Sequence, residues 1–538
     1  MAANSAEPPT FAQVILGMAA EAGAHTAFGL PGVQNLAFWA EIAGDKNHII
    51  TVRHEQTTVY GADGWARATG ALGLALTTTG PGAANAVAAF GEAAACGSPV
   101  LLVASEVATR YLGTDARVLH QSPDQAGLFR PLAKAAFTPR TVDEVLPAVA
   151  AAISAALTPP RGPVYLDVPT DLLGARCVQD FVGRSPEDPA QGRVEAAATA
   201  IRDAERVAIW AGGGALGAGE ELRVLAERLG APVVTTWAGR GLLAGHPLLL
   251  DAPIHEPEAG EVLAWADLLL VVGSAFDGMA TKNGTAPLPA TRAAVNVDPA
   301  HLGAASAPAL AVLGDARQVL AALLDTDLSQ RDAWAGDLAS VRRAMLTRLA
   351  ADPRTSAAVT FLASVEGALG DDTTVVCDMA VAGYWAGSYL PARRTRALQY
   401  PVGWGTLGYA LPASVGAGAV GSTLAVSGDG GLMFAVGELA TIVQEQLPVT
   451  VLVVDDAGYG MLRFDQDHAG TTRRGVDLHT PDLVALAESF GMPAVRVDDM
   501  GEPLQQALTA ALGTREPRLV TVRAALYPPR TTSPRWHE

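Results

Sequence analysis

One pattern constrains this chain more than any other. Short runs of Val, Leu and Ile, such as PVLLVASE, DLLLVVGS and PVTVLVVDD, alternate with longer alanine-rich stretches of helical character. A strand that is apolar along its whole length has no face for water, so such strands belong in parallel sheets covered by helices on both sides. At 538 residues the chain is too long for a single core. A polar, proline-containing stretch at 178–194 reads as a linker, and a second break falls at 349–357. The expectation is an α/β protein of three doubly wound parallel-sheet domains, at 1–180, 190–345 and 355–538.

Composition narrows the function classes. Lys and Arg number 37 against 55 Asp and Glu, a net charge of −18. That charge repels nucleic acid and anionic membranes, so neither is expected as a partner. Apolar residues make up 49% and charged residues 17%, which also suits an oligomer with buried interfaces. Cys96, Cys177 and Cys377 lie far apart and form neither a metal-ligand spacing nor a disulfide framework, as expected of a cytoplasmic protein. No signal peptide and no apolar run long enough to span a membrane is legible.

Two acidic turns carry the chemistry. SGDGG, 427–431, follows the apolar run TLAV and precedes a helical pattern read as LMFAVGELATIVQEQ. Glycines there let the backbone approach a ligand, and a helix start offers N–H groups to a phosphate. The next apolar run ends in VVDDAGYG, 453–460. In a parallel α/β unit both strand ends reach the same edge, where ligands bind. Asp429 and Asp456 are therefore expected to share one ion, with the Gly458 carbonyl as a further ligand. An all-oxygen set of this kind, completed by substrate phosphates, suits Mg²⁺.

The segment from Gly428 to Gly460 resembles the fingerprint of thiamin-diphosphate-dependent enzymes. Most of that family carry Asn where this chain has Asp456, and the Asp form resembles the catabolic, FAD-independent acetolactate synthases. The resemblance covers the whole chain and implies pyrimidine-binding, central and diphosphate-binding domains. It implies cofactor contacts from Gly428, Asp429, Gly430, Gly431, Asp456, Gly458, Tyr459, Gly460 and Met461. In TVRHEQTTVYGADGWARATG the Glu55 carboxyl, preceded by His54, would bond the pyrimidine ring nitrogen of the coenzyme. In GWGTLGYALPASVGA the Gly405 carbonyl and the Leu407 N–H would hold the same ring, with the Leu407 side chain propping the coenzyme into a V.

Further stretches resemble the family's substrate end. FGLPGVQN supplies Gly32 and Val33, and TTTGPGAANA supplies Thr79 and Gly80. VLHQSPDQAGLFRPLAK brings His120, Gln121 and Phe129, with Gln121 expected to bond the intermediate or acceptor carbonyl. Biosynthetic relatives carry Gln-Trp after the Gly-Met, whereas YGMLRFDQ reads Phe464 and Asp465, so a preference for the larger acceptor 2-oxobutyrate is not expected. Met461 and Phe464 are expected to line the pocket, Arg463 is a candidate for a substrate carboxylate, and Asp465 would repel an anionic acceptor. FAD is compatible with the family but not favoured, because GSAFDG at 273–278 lacks the arginine of flavin-containing relatives.

The expectation is an enzyme that uses thiamin diphosphate and Mg²⁺ to decarboxylate a 2-oxo acid and join the carbanion to a second carbonyl, acetolactate formation being the leading instance. A plain 2-oxo-acid decarboxylase releasing an aldehyde, and a non-catalytic member of the family, remain alternatives. The resemblance further implies a homodimer or tetramer with sites shared between chains.

Overall fold

The computed structural model describes residues 8–40, 48–177, 194–302 and 310–536. The stretch read as a linker lies almost wholly outside the described residues. Three sheets account for the apolar runs, and every strand pair in them is parallel. The first holds β1 (Thr26–Gly29), β2 (His48–Thr51), β3 (Gly73–Thr77), β4 (Val100–Glu106), β5 (Ala135–Phe137) and β6 (Val164–Pro169), in the order β2-β1-β3-β4-β6-β5. The second holds β7 (Val207–Ala211), β8 (Val233–Thr235), β9 (Leu268–Val272), β10 (Thr291–Asn296) and β11 (Leu310–Leu313), in the order β11-β10-β9-β7-β8. The third holds β12 (Thr374–Cys377), β13 (Leu398–Gln399), β14 (Thr423–Gly428), β15 (Val449–Asp455), β16 (Ala494–Val497) and β17 (Arg518–Arg523), in the order β13-β12-β14-β15-β17-β16.

Central strands such as β4 and β15 are buried at every position, as their unbroken apolar pattern requires. The break at 349–357 is a turn between two helices, Leu338–Ala351 and Ser356–Ala368. Among the described residues no helix is long and apolar enough to cross a membrane.

Helices with small faces join the first unit to the third. α1 (Glu55–Thr69) crosses α3 (Ala410–Gly418), and α2 (Val87–Ala95) lies beside α1. A Cβ on Gly64 would stand 2.1 Å from the Ala413 carbonyl oxygen, and one on Gly416 would stand 1.9 Å from that of Gly61. Only glycine permits backbones this close.

The helix expected after Asp429 is not continuous. It is a single turn, Asp429–Leu432, followed by a kinked passage and a second helix at Glu438–Gln444. Gly437 interrupts the pattern, and the Glu438 carboxylate is drawn inward to accept the Arg53 and His54 N–H groups at 3.0 and 3.2 Å.

Candidate active site

β14 and β15 are neighbours with Gly428 opposite Val454, so Asp429 and Asp456 emerge side by side at the carboxyl ends of the two strands. The Asp456 N–H points at Asp429 Oδ1 (3.4 Å), and Thr480 Oγ1 donates to Asp429 Oδ2 at 2.7 Å. Burial, then the neighbouring Asp429 carboxylate, pushes the Asp456 carboxyl up to about 6. A divalent cation between two such carboxylates would relieve both costs, so the pair fits Mg²⁺. Among the described residues no three of His, Cys, Asp and Glu gather as a metal-ligand set; phosphate oxygens and backbone carbonyls would complete the shell. Asp455 caps the same turn, accepting the Ala457 N–H at 2.9 Å.

Beneath this edge lies a cavity of about 210 Å³. Its walls bring together Gly405, Leu407, Gly428, Gly430, Gly431, Asp456, Gly458, Tyr459, Gly460 and Met461, all expected from the sequence to contact the coenzyme. Asp429 is buried at its rim. Gly430 is required by close approach, because a Cβ there would meet the Tyr459 ring at 2.7 Å. α4 (Gly460–His468) starts at this edge, and Met461 and the half-exposed Leu462 of its first turn line the cavity. The cavity also exposes Tyr384 and Met379, which the sequence reading did not single out.

The Gly405–Leu407 segment is fixed from two sides by acids that sequence reasoning missed. Asp378, fully buried, accepts N–H groups of Met379 (2.7 Å) and Gly408 (2.8 Å) and the Ser427 hydroxyl (2.9 Å). Burial raises its carboxyl, and those donors pull it back. Glu92, also buried, accepts from Thr406 Oγ1 at 2.9 Å and pairs with Arg67 at 3.2 Å. A lone Glu inside the apolar helix VAAFGEAAA was the available signal, since a buried carboxylate demands partners.

The other expected residues gather elsewhere. Glu55 opens α1, with His54 as its N-cap accepting the Gln56 N–H at 3.2 Å. Glu55 Oε2 accepts from Asn85 Nδ2 at 3.0 Å, and neither residue lines the cavity beneath Asp429. Near it the Gly32 N–H meets Asn35 Oδ1 at 2.7 Å, a Cβ on Gly32 would strike Thr78, and Val33 is 74% exposed. His120 has φ 70° and its Nδ1 lies 3.3 Å from Gln34 Oε1, which also accepts from Thr78 Oγ1 at 3.2 Å. Gln34 is a polar group of this cluster that the sequence reading did not name.

Several expected residues are engaged in other contacts in this chain. Gln121 is spent on its own loop: its amide donates to the Tyr111 and Thr114 carbonyls and accepts the Val118 N–H. The glutamine beside Gly80 is instead Gln125, which accepts the Gly80 N–H at 2.6 Å and donates to Tyr165 and Ser105. Thr79 turns inward to Ser105 at 3.0 Å. Phe129 lines no pocket; it is wholly buried, stacked on Tyr165 with centroids 4.2 Å apart. Phe464 stacks on His468 and packs edge-on to Tyr527 without reaching the cavity wall. Arg463 braces the acidic turn, donating to the Asp456 carbonyl at 2.7 Å and to Asp477 at 2.7 Å, so it is committed and offers nothing to a substrate carboxylate. In the central unit Gly212 and Gly214 pack closely on Gly273 and Ser274, and Gly213 faces Ala238.

Comparison with known proteins agrees with this arrangement. Three family models match: the thiamine pyrophosphate enzyme N-terminal TPP binding domain over residues 9–128, its central domain over 194–323, and its C-terminal TPP binding domain over 378–522. The chain is 33% identical over 532 residues to a probable 2-ketoarginine decarboxylase of Pseudomonas aeruginosa, covering 96% of this chain and 94% of the relative. It is 30% identical over 532 residues to a probable acetolactate synthase large subunit of Methanocaldococcus jannaschii, covering 93% and 89%. The acetolactate synthase large subunit of Corynebacterium glutamicum is 29% identical over 530 residues, covering 93% and 84%.

Proposed function

The chain belongs to the thiamine pyrophosphate enzyme family and is acetolactate synthase-like, and from that premise we propose that it decarboxylates a 2-oxo acid with Mg²⁺ held between Asp429 and Asp456. The observation that carries the reading is the pair of carboxylates side by side above the glycine-lined cavity. Thiamin diphosphate, when bound, supplies the electron sink that lets the bond between carbonyl carbon and carboxylate break. Asp429, Asp456 and the Gly458 carbonyl hold the cation, which offsets the diphosphate charge. The backbone at Gly405 and Leu407, clamped by Asp378 and Glu92, orients the pyrimidine ring. Met461, Leu462 and Leu526 keep water from the reacting carbon.

Glu55 lies outside that cavity in its own chain, so we assign it to the site of a second copy. There its carboxyl holds a proton at the pyrimidine nitrogen. Exposed apolar side chains support such an assembly: Val33, Leu36 and Leu119 on the loops near Glu55, and Trp404, Met433 and Phe434 on the third unit. A homodimer is the smallest complete unit on this reading, and a tetramer would repeat it. FAD has no part in the proposal. Among the described residues Cys96, Cys177 and Cys377 form no disulfide, which suits the cytoplasmic location proposed.

Transfer of the carbanion to a second carbonyl is the fate suggested by the acetolactate synthase relatives. Protonation with aldehyde release is a second reading, favoured by the cavity itself. Among the described residues its lining contains no Lys, Arg or His to receive the carboxylate of a second 2-oxo acid. The test is incubation with thiamin diphosphate, Mg²⁺ and a panel of 2-oxo acids, with and without a second carbonyl, trapping CO₂ and identifying products by mass. A hydroxyketone acid supports the first fate and an aldehyde the second; CO₂ from none of the acids overturns the reading.

A further inference from the structure

Asp465 stands one helical turn beyond Met461 on α4, on the same face as that cavity-lining residue. Asp465 Oδ1 is buried and has no hydrogen-bond partner among the described residues. The groups around it do not supply one. Tyr384 Oη donates to the Met379 carbonyl at 3.3 Å, Arg463 is held by Asp456 and Asp477, and His468 stacks on Phe464 at the exposed end of the helix. A carboxylate oxygen shut away from water without a donor is costly, and the cost is recovered only when a donor arrives.

The charge pattern of the cavity says what kind of donor it is. Among the described residues Asp456 is the only ionisable group of the lining besides tyrosines, and it is engaged with the cation and diphosphate in the reading above. A substrate with a second anionic group would meet no cation here. A substrate with a distal cation long enough to pass the Met461 turn of α4 would reach a single unpaired carboxylate just beyond that lining.

We propose, building on the 2-oxo-acid decarboxylation above, that Asp465 is the specificity-determining residue and binds a guanidinium or ammonium group at the far end of the substrate. A guanidinium is the better match, because its planar fork can satisfy both carboxylate oxygens. The oxo-acid end lies at the reacting centre and the cationic end reaches one turn up α4. In the reaction the carboxylate leaves as CO₂ and the carbon that loses it gains a proton or a carbonyl partner; the cationic end is unchanged.

The test compares two acids of the same shape, 5-guanidino-2-oxopentanoate and 5-ureido-2-oxopentanoate, with pyruvate as reference, measuring CO₂ release by the full-length holoenzyme. The expected result is a kcat/KM for the guanidino acid at least about 100-fold above that for the neutral ureido acid, since a buried charge left unpaired is strongly disfavoured. Asp465→Asn is expected to reduce that ratio to about tenfold or less, mainly through KM, with melting temperature monitored as a fold check. Equal use of the two acids by the parent enzyme overturns the proposal without any variant. So does an Asp465→Asn enzyme that folds and keeps the parental ratio. Turnover of pyruvate with none of the guanidino acid sinks this inference alone, whereas no CO₂ from any acid sinks the decarboxylation reading beneath it.

Discussion

Single residues divide into those that meet the ligand and those that bear the cost of holding them. The proposal above puts Glu55 in the first class. Glu55→Gln keeps the Asn85 contact geometry but removes the ionisable proton, so turnover is expected to fall about 100-fold or more while the melting temperature stays put; stopped CO₂ assays beside calorimetry check this. Asp167, at the end of β6, is in the second. Burial, then the neighbouring Glu106 carboxylate, pushes its carboxyl up to about 7. A carboxyl raised in the folded state holds its proton longer than in the unfolded chain, so stability is present at low pH and is lost as pH rises through about 7. Asp167→Asn cannot ionise. It is expected to match the parent near pH 4 and to exceed it by about 2 to 4 kcal/mol at pH 8 in chemical denaturation; equal curves at both pH values would refute the assignment. Charge in the sequence identified Asp429 and Asp456, because two acids at successive strand ends have few bland explanations. It could not identify Asp378 or Gln125, whose partners come from loops tens of residues away.

Elements decide how close those residues come. The crossing of α1 with α3 depends on Gly64 and Gly416, where added methyl groups would overlap the Ala413 and Gly61 carbonyls. Gly64→Ala is expected to cost about 3 kcal/mol or more, beyond the ordinary range for overpacking because the obstacle is a carbonyl and not a movable side chain. A shift in the urea midpoint without a change in slope would record it, and an unchanged midpoint would show that the helices can part freely. α4 shows the limit of periodicity. Its sequence predicts a helix, and the pattern YGMLRFDQ correctly sends Met461 to the cavity. Phe464, expected beside it, is drawn off by Tyr527 and His468. The apolar run after Asp429 likewise satisfies helical spacing, yet Glu438 is pulled toward Arg53 and His54 of the first unit and the helix breaks.

At the scale of the whole molecule, the proposed coenzyme contacts fall into two clusters among the described residues, Glu55 with Asn85 and the residues lining the cavity beneath Asp429. If two copies complete each other's sites, Glu55→Gln and Asp429→Asn chains, each inactive alone, recover activity when mixed and refolded together. The expected level is about one quarter of parental, because half of randomly paired dimers are mixed and each mixed dimer holds one intact site. Recovery of nothing, with mixed dimers shown to form by mass, would place both residues in the site of a single chain. The sequence by itself determined the sheet architecture, since strands apolar on both faces have one way to be buried. It also determined the acidic edge of β14 and β15, since parallel connection puts successive strand ends together. Only the tertiary structure decided which glutamine backs Gly80, that Phe129 belongs to the core, and that the Asp465 carboxylate is left without a donor. Those outcomes rest on competition among partners distant in the chain, and a linear pattern carries no record of which partner wins.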